Sequence, residues 1–231
     1  MDTLSFAVHT GNEAGLIFDN SAHQFYPTKA YRVINGEGMA IREDCSYYGY
    51  VCGGTAKISF GSRPRYTFIS GMYFSSVGSF KFEGTTCRSN LVVIEVLPLK
   101  HYYHNDFSSF FTVGGPIEGR GRIQTNQGRT ESVLIAPITA AAPTLTHHQY
   151  GPHIADKARS YDTYRIGVAA RGNATICSPF GNYPIESSNV VLIKEAGVNQ
   201  GFGLDGQTHQ IGQHSLQTKD LKFDIVKFKP R

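Results

Sequence analysis

Tryptophan is absent from the 231 residues, methionine occurs three times and cysteine four. Cys45, Cys52, Cys87 and Cys177 show no C-x-x-C or other paired spacing. A structural zinc site is therefore not expected, a set of reduced thiols is, and a Cys45–Cys52 disulfide stays open. No apolar run approaches the ~18 residues of a membrane span, so no membrane partner is expected. The first residues, MDTLSFAVHTGNEAG, lack the basic and apolar regions of a secretory leader, which makes a cytoplasmic location the expectation. Charge is sparse at 17% of residues, with a net +4, and the basic side chains are scattered apart from Lys219–Arg231. Without a basic stripe interleaved with aromatics, a nucleic-acid partner is not expected. Also missing are the G-x-S-x-G nucleophile turn and the phosphate loop. Glu118 sits in a glycine-rich turn beside Arg120 and Arg122, where an exposed ion pair is the ordinary outcome. Asp156, Asp162 and Glu195 have no evident partner. The sequence thus names no catalytic residue and leaves open whether the protein is an enzyme.

Helical periodicity is missing as well. Hydrophobic residues make up 40%, enough for a core, and 13 Tyr, 15 Phe, 25 Gly and 10 Pro describe short strands between turns. Strand-like runs recur at Tyr47–Cys52, Thr55–Phe60, Tyr66–Ile69, Met72–Phe74, Leu91–Leu97, Ser132–Ile135, Tyr164–Ala169, Ala174–Cys177, Val190–Ile193 and Leu221–Phe228. Clusters such as CGGT, FGSRPR, TNQGR, ARGN and LDGQ separate them as turns. This spacing predicts an all-β sandwich, jelly roll or barrel.

One segment repeats. Gly49–Phe74 resembles Gly167–Leu192, aligning Gly49 with Gly167, Gly54 with Gly172, Ala56 with Ala174 and Ile58 with Ile176, each 118 residues apart. The repeat predicts two similar β modules in tandem, 1–135 and 136–231, joined at the apolar, proline-containing stretch IAPITAAAPTL.

The G-x-A-x-I strand pair, a loop, an apolar strand and a later histidine before a final hydrophobic strand together resemble the cupin superfamily. Arg165–Ile176 looks like its first motif, Gln207–Gln217 like its second with His214 as the motif histidine, and Leu221–Pro230 like its closing strand. Gly114–Gln124 followed by Ser132–Pro137 resembles the connection in uncharacterised bacterial two-cupin proteins. The resemblance implies jelly-roll modules, a homo-oligomer such as a homodimer, and a three-histidine, one-carboxylate metal site. The first motif would place His-x-His just before Arg165, yet Arg159, Ser160, Tyr161 and Asp162 stand there, and Arg42–Tyr48 likewise holds no histidine. The first metal motif is therefore degenerate.

Two groups of residues remain as candidates. Tyr161, Arg165, Tyr183 and His214 would line a small-molecule pocket in the C-terminal half, where an Arg and Tyr pair suits an anionic or polar ligand. His214, His209 and His148, the last in the run THHQYGPH with His147 and His153, are the candidate ligands of a divalent transition metal, should a cofactor be used. His101 and His104, three apart, would point to opposite faces of a strand. The leading expectation is a bicupin-like small-molecule-binding or structural protein with a degenerate metal site. The alternatives are a metal-dependent cupin enzyme (oxygenase, isomerase or lyase) and a self-assembling jelly-roll subunit.

Overall fold

The computed structural model describes residues 6–22, 27–83, 88–97, 111–115, 123–124, 129–135, 144–150, 159–160, 165–178, 181–193, 201–202 and 219–227. Every regular element among them is a strand. In chain order these are β1 (Phe6–His9), β2 (Gly15–Asn20), β3 (Thr28–Ile34), β4 (Ser46–Phe60), β5 (Tyr66–Ile69), β6 (Tyr73–Val77), β7 (Phe80–Glu83), β8 (Ser89–Val96) and β9 (Phe111–Gly114). They continue as β10 (Ile123–Gln124), β11 (Arg129–Ile135), β12 (Thr144–Tyr150), β13 (Arg159–Ser160), β14 (Arg165–Ser178), β15 (Gly181–Glu186), β16 (Val190–Ile193), β17 (Gly201–Phe202) and β18 (Lys219–Lys227). No helix among the described residues is long and apolar enough to cross a membrane. The chain divides into two compact units, Asn12–Glu118 and Met1–Gly11 with Gly119–Arg231.

In the first unit the sheet order is β2-β3-β8-β4-β6-β9, and β5 and β7 pair with the far half of β4. The CGGT cluster, expected to reverse the chain, instead bends a single 15-residue strand. Residues before the bend pair with β6 and β8, and those after it with β5 and β7. The register against β8 slips between Val51 and Gly53, which is a bulge. At Gly54 φ is +72°, and a β-carbon there would collide with the Arg88 carbonyl. Only glycine meets both demands, so this glycine bends the strand rather than ending it.

Strand alternation then fills the interior. Val33, Tyr47, Val51, Ala56, Ile58, Phe60, Phe68, Phe74, Phe80, Leu91 and Val93 are buried in one cluster. Phe60 stacks on Phe111 at 5.1 Å between ring centres and meets Phe74 edge-on at 5.5 Å. Phe74 in turn meets Phe68 and Phe80 edge-on. Such offset and edge-on pairs add ~1 kcal/mol each beyond the area they bury. Both faces of β8 are buried, because Val92 and Ile94 are covered as fully as Leu91 and Val93. On the same face as Val92, its register partner Arg32 is also fully buried and donates from Nη1 to Asn90 Oδ1 at 3.0 Å.

The second unit has the order β1-β16-β14-β18-β12-β11-β10, with β15 on β14 and a separate β13–β17 ladder. Ile166, Val168, Ala169, Ile185, Val190, Val191 and Leu192 are buried in it. The ARGN cluster, like CGGT, lies inside one long strand. The strands on either side of residues 136–143 are antiparallel neighbours. β1, from the start of the chain, pairs with β16 in this unit.

Candidate functional site

Residues directly opposite one another on neighbouring strands share a face. In the first unit this sets Asp19, Lys29, Glu95, Tyr47 and Ser76 in one row across β2, β3, β8, β4 and β6. The row lies on the face of Val93, two positions along β8 from Glu95, and of Val51, four along β4 from Tyr47. It is the polar rung of an otherwise aromatic and aliphatic interior. Burial deepens along it: the Asp19 and Lys29 side chains are 42% and 26% exposed, whereas Glu95, Tyr47 and Ser76 are buried.

A carboxylate that deep needs hydrogen bonds. The Tyr47 hydroxyl lies 3.2 Å from Glu95 Oε1, and the Tyr31 hydroxyl donates to Oε2, also at 3.2 Å. Lys29 faces Glu95 in register, but its ammonium bridges Asp19 at 3.4 Å. The Tyr47 oxygen also accepts from the Arg42 amide at 2.6 Å, and its hydroxyl reaches the Arg42 carbonyl at 3.1 Å. Next to this, the exposed Arg42 guanidinium grips Asp44 through two bonds of 2.9 and 2.6 Å, and the buried Cys45 thiol donates to Asp44 at 3.6 Å.

The environment keeps the two phenols and the Cys45 thiol protonated. Burial first, and then Glu95, push the Tyr31 phenol up to about 12 and the Cys45 thiol up to about 12. Tyr47 is raised as well, chiefly by burial. Asp44 is lowered by Arg42, and Asp19 by the hydrogen bonds of Ser21. Cys45 and Cys52 stand seven residues apart along extended chain, roughly 20 Å, which is beyond disulfide reach.

Of the residues expected from sequence, Tyr161, His209 and His214 lie outside the described residues. Arg165 opens β14, directly opposite Lys227 of β18 and Ile193 of β16. His148 lies on β12, opposite Glu131 and Phe223. Tyr183 lies half-buried on β15 opposite Ile176, roughly 35 Å along β14 from Arg165. Glu95, Tyr47, Tyr31 and Lys29 were not anticipated. The available signal was a lone carboxylate at an alternating apolar position of LVVIEV.

A transition metal does not suit the polar rung. Its donors are one carboxylate, two phenols and an ammonium, and the described residues of the first unit include no imidazole. Among all described residues no three His, Cys, Asp or Glu side chains converge.

No family model matches the chain, and no curated protein matches it in sequence. Solved structures do match in shape. A cupin 2 conserved barrel domain protein from Leptotrichia buccalis aligns with a TM-score of 0.60 at 10% identity, over 96% of this chain and 89% of its own. The putative glyoxylate-induced protein of Pseudomonas aeruginosa gives 0.67 at 8% identity, over 100% and 90%. A salicylate 1,2-dioxygenase from Pseudoaminobacter salicylatoxidans gives 0.61 at 9% identity, over 87% and 68%. The class defined by these observations is the cupin fold: an all-β chain of jelly-roll type, as the resemblance of its motifs implied.

Proposed function

We propose that the chain is a bicupin-like protein of two related modules that binds a small anion in its C-terminal module, with the N-terminal barrel filled by its own aromatic side chains. Duplication is supported by strand order. Reading β2, β3, β8, β4, β6, β9 against β11, β12, β18, β14, β16, β1 gives the same sequence of neighbours. Gly49 stands opposite Val93 and Phe74, and Gly167, 118 residues on, opposite Ile225 and Val191.

The observation that carries the anion reading is the register of Arg165 and Lys227. They occupy the positions that Tyr47 and Glu95 hold in the first unit. Like charges directly opposite on adjacent strands destabilise a sheet by up to ~1 kcal/mol, and a bound carboxylate or phosphate reverses that sign. Tyr161 and His214 are the further donors in this reading. Tyr183, on β15 opposite the far end of β14, falls outside it.

Calorimetric titration of the untagged full chain with inorganic phosphate and with oxalate tests the reading. Saturable binding is expected, weakened at least about tenfold in Arg165→Gln and in Lys227→Gln, since one charge-assisted hydrogen bond is worth ~1.5 kcal/mol or more. Lys29→Gln, in the other module, should leave it unchanged. Absence of binding, or binding indifferent to both C-terminal substitutions, overturns the anion site. About one equivalent of a transition metal that is lost in His214→Ala would instead favour a metal-dependent enzyme using His214, His209 and His148.

A further inference from the structure

The polar rung of the first unit holds one hydrogen for two acceptors. The Tyr47 hydroxyl has a single proton, with Glu95 Oε1 at 3.2 Å and the Arg42 carbonyl at 3.1 Å. Both distances are longer than the ~2.7–2.8 Å usual for a hydroxyl donor, as fits a group placed between two partners. The Arg42 amide donates to the same oxygen at 2.6 Å whichever way the hydroxyl turns. Arg42 lies in the 39–45 segment, whose Met39 and Ile41 pack partly buried against the barrel core and whose Cys45 is within it. The segment therefore covers apolar interior, and Tyr47 is its polar fastening.

We propose that Glu95, Tyr47 and the Arg42 backbone form an acid-operated latch, in which protonation of Glu95 turns the Tyr47 hydroxyl to the Arg42 carbonyl and fastens the 39–45 segment to the barrel. With Glu95 ionised, Tyr47 donates to the carboxylate and the Arg42 carbonyl goes without that bond. A proton taken from solvent forms an O–H on Glu95 Oε1, and that O–H donates to the Tyr47 oxygen. The Tyr47 hydroxyl then rotates to Arg42, its two lone pairs serving Glu95 and the Arg42 amide. No covalent bond of the chain breaks. The other groups facing Glu95 are accounted for. From β3 come Tyr31, which donates to Oε2, and Lys29, which is held by Asp19 of β2. From the segment come Cys45, kept as a thiol by burial, and the Arg42–Asp44 pair, whose charges cancel. Neither β8 nor β6 adds a second titrating side chain to the row.

Carbon-13 NMR of the intact chain, followed from neutral pH down through an acid titration, tests this directly. The Glu95 carboxyl, Tyr47 ζ-carbon and Arg42 carbonyl signals should move with one common midpoint. Exchange of the 39–45 amides, corrected for intrinsic chemistry, should slow about fivefold on the acid side, the worth of one ordinary hydrogen bond. Glu95→Gln, whose amide donates to Tyr47 at every pH, should hold the slow exchange throughout. Tyr47→Phe should show fast exchange with no pH dependence. A Glu95 signal that titrates while Tyr47 and Arg42 stay still, or that does not titrate at all, overturns the latch. So does a Glu95→Gln variant that keeps the wild-type pH response. The wild-type titration decides the matter even if a variant fails to fold.

Discussion

Tyr47 and Glu95 stand directly opposite on β4 and β8, with the phenol oxygen 3.2 Å from the carboxylate and both side chains buried. Truncating the phenol removes a partner from two buried groups at once. Tyr47→Phe should cost ~2–3 kcal/mol in chemical denaturation, because Glu95 and the Arg42 amide both lose a partner. Tyr31→Phe leaves Tyr47 on the carboxylate and should cost only ~1 kcal/mol. Equal losses in the two variants would show that Tyr47 holds no special place in the row.

The aromatic interior makes a second, larger prediction. Phe74 touches Phe60, Phe68 and Phe80. Phe74→Ala should destabilise the chain by ~3–5 kcal/mol, whereas Ile69→Ala, at a half-exposed position, should stay within ~0.5 kcal/mol. A small loss at Phe74 would mean that the interior is not closely packed there.

Backbone geometry gives a third. Gly54→Ala combines a positive φ with a collision against the Arg88 carbonyl. A loss of ~2 kcal/mol or more is expected in a thermal or chemical melt. Gly53→Ala, where a β-carbon meets nothing within 4 Å, should be much milder. Similar losses at the two would remove the special role of Gly54 in bending β4.

The pH dependence follows from Tyr31 and Cys45. In both, the folded pKa is raised above the ordinary value, so the folded state holds its proton more tightly than the unfolded chain. Their contribution is complete below the unfolded values, ~10 for Tyr and ~8.5 for Cys, and is lost as the pH climbs toward about 12. Stability measured by denaturation should therefore fall between about pH 9 and 12. The fall should be shallower in Cys45→Ala and in Tyr31→Phe, and a slope unchanged in both would contradict the assigned cause. By the same burial, Cys45 should resist thiol reagents at neutral pH until the chain unfolds.

Much of the strand map was legible in sequence, for a local reason. Tyr66–Ile69 and Val190–Ile193 are strands with the expected bounds, since short apolar runs between turn residues leave few choices. The CGGT and ARGN clusters were misleading because Gly-rich segments serve bulges as readily as turns, and only the partner strands decide between them. Glu95 could have been noticed as a charge at an apolar alternating position. Its partners could not, because Tyr47 is 48 residues away and Tyr31 is 64.

The sequence by itself determined the secondary-structure class and its chemistry of composition. Aromatic and β-branched residues at period two, punctuated by glycine and proline, can bury their apolar side only as a β structure. Tertiary structure alone decided which strands became neighbours and in what register. One residue of slip would carry Glu95 and Tyr47 to opposite faces, Lys227 would no longer stand opposite Arg165, and no local signal specifies that alignment. It also decided that β1, first in the chain, pairs with β16 in the unit made mostly of the C-terminal half. Backbone hydrogen bonds form between whichever edges come together, and sequence separation does not limit them.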